Sequence, residues 1–103
     1  MHEKEIRDLA IMLYEARYPD PMAMVATALI RIAHDGIDYG VGPHHTTMRG
    51  LGLVSFGKED PITFIQAITP TCVGMAVAGY LRKWDHQKPV QDRITLESIS
   101  IFS

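Results

Sequence analysis

The nine residues from Met22 to Ile30 carry a single polar side chain, Thr27, and stand between Asp20-Pro21 on one side and Gly36 on the other. Asp20 is a good N-cap, Pro21 suits the first helical position and Gly36 suits a C-terminal stop, so the flanks predict a helix over 22–34. Almost every residue from Met22 to Ala33 is apolar or small, so this helix has to be covered on most sides and to form the centre of a core. It is well short of the roughly 20 apolar residues that a membrane span requires, so no membrane partner is expected.

The remaining elements are arranged around this helix. Ile6, Leu9, Ala10, Leu13 and Arg17 recur at helical spacing within Glu3 to Tyr18, which predicts an amphipathic helix stopped by Tyr18-Pro19-Asp20-Pro21. The glycines between Ile37 and Gly42 predict an irregular connector or one short strand. Pro43 opens a short helix with Met48, Leu51 and Leu53 as inward anchors, weakened by Gly50 and Gly52 at about 1 kcal/mol each. Leu53 to Phe56, the turn-rich Gly57 to Pro61 and Ile62 to Ile68 then read as a β-hairpin. Thr69-Pro70 is a helix start, and Val73, Ala76, Val77, Tyr80, Leu81 and Trp84 share one face of a helix over about 70–85. The methionines at helical apolar positions, Met12, Met22, Met24, Met48 and Met75, are expected to fill core space, and so is the lone Cys72.

These elements predict one domain over residues 1–88 that is mainly α with a small β-hairpin, an α+β arrangement of three to four helices and a two- or three-stranded sheet. Residues 89–103 form a C-terminal apolar extension, with Ile94, Leu96, Ile99, Ile101 and Phe102, expected to pack on the domain or on a second copy. At 103 residues, 47% hydrophobic and 21% charged, the chain suits a single folded core. Its N-terminus lacks the basic-then-apolar order of a secretory signal, so a cytoplasmic location is expected.

The formal net charge of −2 argues against a protein that simply coats nucleic acid, but the charge is uneven. Residues 1–38 hold seven acids and four bases, and residues 59–103 hold five and four. Residues 39–58 hold Arg49, Lys58, His44 and His45 without an acid, a candidate contact for an anionic partner.

The order of elements resembles the winged-helix (winged helix-turn-helix) domain of transcription regulators over roughly residues 22–85. Leu51-Gly52-Leu53-Val54 matches the end of that family's recognition helix, Gly57 to Pro61 matches its wing, and Ile68-Thr69-Pro70 matches the start of its closing helix, followed by Gly74, Ala78, Tyr80 and Leu81. The resemblance implies a DNA-binding regulator that acts as a homodimer, with residues 43–52 in a major groove. It also implies that His44, His45, Thr46, Thr47 and Arg49 face double-stranded DNA and that Lys58 reaches a neighbouring phosphate. Those residue types suit the task, because arginine pairs with guanine through two hydrogen bonds while hydroxyls and imidazoles reach phosphates or base edges. The chain differs from the family in its long connector, in Glu59 and Asp60 at the wing tip, and in its net acidity. Those differences motivate an alternative: a protein-binding module or inhibitor on the same scaffold, for example phage-encoded, that meets a basic protein partner through Glu59 and Asp60.

No enzymatic role is expected, because no nucleophile stands in a recognisable relation to a base and an orienting acid. The glycines lack the Gly-Lys-Ser/Thr ending of a phosphate loop, so no cofactor is expected. Adjacent histidines point in different directions, and neither Cys-x-x-Cys nor His-Glu-x-x-His spacing accompanies His44-His45, so no metal site is expected. His34, at the end of the central helix, is explained by the preference of a helix C-terminus for a cation.

Overall fold

In a computed structural model describing residues 2–40 and 42–89, the Asp20 side chain accepts a hydrogen bond from the Met22 amide at 2.9 Å and starts helix α2, Pro21–Asp35. Gly36 ends it in the left-handed conformation at φ 80°, its amide donating to the Ile32 carbonyl, a geometry that a side chain would oppose. Val25, Ala26, Leu29, Ile30 and Ile32 are buried, and α2 packs against all three other helices and the sheet.

The chain runs α1 (Glu3–Glu15), α2, β1 (Asp38–Tyr39), α3 (Pro43–Gly50), β2 (Val54–Phe56), β3 (Ala67–Pro70) and α4 (Cys72–His86). The result is an α+β fold of four helices and a three-stranded antiparallel sheet in the order β1-β3-β2, compatible with a winged-helix-like small domain. The register pairs Asp38 with Ile68 on one side of β3 and Phe56 with Ile68 on the other. The connector thus supplies a short strand, which adds a third member to the hairpin. Among the described residues, no helix is long and apolar enough to cross a membrane.

The end of α3 is set by a Schellman motif. The Leu53 amide donates to the Met48 carbonyl at 2.9 Å, and the Gly52 amide donates to Arg49 at 3.0 Å with Gly52 at φ 77°. Leu53 and Met48, the two positions that this motif brings together, are both fully buried in the core. Burial and the cap together hold a helix that its glycines weaken.

Several sequence expectations need correction. Helix α1 stops at Glu15 rather than Tyr18, because Ala16 turns to extended backbone at ψ 138°, and Arg17 Nη1 donates to the Tyr14 and Ala16 carbonyls left there, at 2.6 and 2.9 Å. The second strand does not begin at Ile62. Asp60 Oδ1 accepts from the Ile62 and Thr63 amides at 2.8 and 3.0 Å, which folds those residues into a turn, and the ladder resumes only at Ala67. Thr69 and Pro70 belong to β3, and the cap of α4 is Thr71, whose hydroxyl accepts from the Gly74 amide at 3.0 Å. Pro70 is tolerated because it ends β3, past the two-residue β1. Cys72 is exposed in the first turn of α4 rather than packed, and among the described methionines only Met48 is fully buried, with Met12, Met24 and Met75 exposed. Within the apolar extension at 89–103, residues 90–103 lie outside the described residues, and with them the expected packing or dimer contact.

Candidate nucleic-acid interface

Helix α3 turns His45 and Met48 inward and leaves Pro43, Thr46, Arg49 and Gly50 exposed, with His44 and Thr47 half-buried. The exposed stripe is small apart from Arg49, and α3 itself carries no acid. Thr47 Oγ1 donates to the Pro43 carbonyl at 3.1 Å, which leaves its oxygen able to accept from a ligand. The Arg49 guanidinium carbon sits 4.6 Å from the centre of the Phe56 ring. This cation–π contact joins the outward face of α3 to β2 and restricts the arginine while leaving its N–H edge available.

The structure corrects the expectation for His45. Its side chain is not on the outward face: the residue is 6% exposed and bonded at both ring nitrogens. The Gly42 amide donates to Nδ1 at 2.9 Å, and Nε2 lies 2.9 Å from Asp38 Oδ2. Because an amide N–H can only donate, Nδ1 must accept, and the proton of the neutral ring resides on Nε2, directed at Asp38. Half of a capping box results, in which the third residue of α3 satisfies the amide of its N-cap. The His44 ring lies 4.2 Å from that of His45. Burial lowers the His44 pKa and the neighbouring His45 adds to the shift, against a smaller upward pull from Asp38. Burial pushes the Asp38 carboxyl up, but its bonds from His45 and from the Tyr39 amide outweigh this and leave it below the ordinary carboxylate value.

Lys58 and Glu59 are exposed just beyond β2, two and three residues after Phe56. Asp60 is exposed as well, but one carboxylate oxygen is spent inside the loop, and the Thr63 and Ile62 amides hold its pKa below the ordinary value. The Phe64 amide donates to the Asp60 carbonyl at 2.8 Å and the Asp60 amide to Ile65 at 2.9 Å, closing a tight loop. That loop presents Ile62 at 84% and Phe64 at 73% exposure, with Phe64 at φ 60°, a conformation that costs an aromatic residue on the order of 1 kcal/mol.

Sequence reasoning thus placed His44, Thr46, Thr47, Arg49 and Lys58 on an accessible surface, misplaced His45, and missed Phe56, Asp38 and the apolar loop. The signal for His45 was present: Met48 was an inward anchor, and the residue three positions before it shares its face. Among the described residues, no group of three or more His, Cys, Asp or Glu side chains could hold a metal ion. No family model matches the chain, and neither the curated proteins nor the solved structures yield a match.

Proposed function

We propose that this domain binds double-stranded DNA, with the outward face of α3 in the major groove and the β2–β3 loop alongside it, as in a winged-helix transcription regulator. The observation that supports this reading is the acid-free outward face of α3, narrow enough for close approach, with Arg49 braced on Phe56 at its edge. A braced guanidinium loses less conformational freedom on pairing with a guanine edge than a free one. In this reading His44, Thr46 and Thr47 contact phosphates or base edges, and Lys58 meets a phosphate across the groove. A single module makes a small interface, so a homodimer on two half-sites supplies the remaining affinity, in the cytoplasm.

Fluorescence anisotropy on a labelled duplex tests this reading. The affinity of the intact chain should fall steeply between about 50 and 200 mM salt as counterions are released. Arg49→Ala should cost about 1–3 kcal/mol. No binding at low salt would overturn the reading.

A second reading, a protein-binding module, is favoured by one observation: the closed loop that holds Ile62 and Phe64 in solvent beside Glu59. Under it, reversal of Glu59 and truncation of Phe64 would abolish partner binding while Arg49→Ala would leave it intact.

A further inference from the structure

His45 is the one member of the candidate site that does not reach the surface, and its two bonds link different parts of the fold. Nε2 holds Asp38 on β1, and Nδ1 holds the Gly42 amide at the head of α3. Asp38 is itself fixed to the sheet through the pairing with Ile68, and its Oδ1 accepts from the Tyr39 amide at 2.8 Å. The imidazole is therefore the polar tie between the sheet and the N-terminal end of α3, the end that carries His44 and Thr46.

We infer that His45 is the positioning residue of the α3 face, and that its protonation releases that end of the helix. The two bonds respond differently to a second proton. The Nε2–H donor to Asp38 survives and gains an ionic component. Nδ1 changes from acceptor to donor and then faces the Gly42 N–H, donor against donor, so that bond is lost. Two donors face to face repel, and a part-buried amide without an acceptor is unfavourable, so Gly42 and the first turn of α3 shift to find water or another partner. The charged and titratable groups that bear on the pair are Asp38 from β1, His44 from α3 itself and Arg31 of α2, which acts on Asp38 electrostatically. The geometry that the protonated ring demands thus differs from that of the neutral ring. For ligand binding the inference rests on α3 being the binding face, whereas the coupling between His45 and Gly42 stands without it.

The test is a titration of the isotopically labelled full chain from about pH 8 to pH 5 by NMR, the interval in which histidine ordinarily changes charge. At the alkaline end the His45 ring nitrogens should report an Nε2–H tautomer. As the ring protonates, the protection factor of the Gly42 amide, corrected for intrinsic exchange, should drop by about tenfold or more. Asparagine can place Oδ1 where Nδ1 stands, so His45→Asn should keep Gly42 protected across the range. His44→Gln keeps both His45 bonds and should still lose Gly42 protection when the His45 ring protonates. On a labelled duplex, the ratio of wild-type to His45→Asn affinity should fall over the same interval, a comparison that cancels the charge gained by the other histidines. An Nδ1–H tautomer at pH 8, a Gly42 amide still protected beside an imidazolium, or a ring that stays neutral until the domain unfolds would each overturn the inference. Should neither protein bind any duplex, the DNA reading fails, and the Gly42 amide still decides the switch.

Discussion

Gly74 lies directly against the backbone of Leu53: a side chain on Gly74 would drive its first carbon into the Leu53 carbonyl oxygen and to 2.9 Å from the carbonyl carbon. The same carbonyl accepts the Thr71 amide at 3.0 Å, so the first turn of α4 is seated on the start of β2 by a hydrogen bond and a missing methyl at once. Gly79, in the same helix, has open space around it. Gly74→Ala should therefore destabilise the domain by about 1–3 kcal/mol despite the better helix propensity of alanine. Gly79→Ala should stabilise it by roughly 0.5–1 kcal/mol. Urea denaturation of the two variants checks the pair, and an equal response from both would remove the close approach as an explanation.

Thr71 makes two bonds through one hydroxyl. It accepts from the Gly74 amide at 3.0 Å and donates to the Gly52 carbonyl at 2.6 Å, so it caps α4 and ties it to the Schellman turn after α3. Thr71→Ala should cost about 1–2 kcal/mol and Thr71→Ser much less, as for other capping hydroxyls. Thermal unfolding of both variants distinguishes the lost cap from a lost methyl contact.

Acid should weaken the β1–α3 tie. The folded Asp38 pKa lies below its ordinary value of 3.8, so its ionised form stabilises the fold at pH values above the unfolded pKa. That contribution is lost as pH falls through the folded pKa. The stability deficit of Asp38→Asn should accordingly be present above the unfolded pKa and shrink below pH ~4. A deficit that stays constant through acid would show that the carboxylate charge plays no part.

Phe64 holds a positive φ that suits glycine or asparagine better, and its ring is in solvent. Phe64→Gly should leave stability unchanged or raise it slightly, because relief of about 1 kcal/mol of backbone strain offsets the added freedom of the unfolded chain. Loss of folding in this variant would mean that the ring packs against something on its own domain.

How legible the sequence was depended on whether local chemistry or tertiary pairing decided the outcome. Asp20, Pro21 and Gly36 bound α2 with local devices, and the observed helix ends where those devices place it. The run Ile62 to Ile68 has the β-branched composition of a strand, yet the Asp60 carboxylate captures two of its amides and bends it into a turn. That side-chain-to-backbone bond competes with the ladder and leaves no periodic trace. On α3 the outward Arg49 was legible from its type and surroundings, while its brace, Phe56, lies across a turn and required the fold. Of two adjacent histidines only one could face inward, and its partner, Asp38, is seven residues earlier on an element that the sequence left open between an irregular connector and one short strand.

The central claim is that the outward face of α3 reads duplex DNA, and the most direct measurement is selection from a randomised duplex library at rising salt, with the wild-type chain and Arg49→Ala in parallel. The account predicts that the wild type enriches one motif, with binding that falls steeply as salt rises, and that Arg49→Ala loses preference at a defined position of that motif. No enrichment by the wild type, or an identical motif from both proteins, would contradict it.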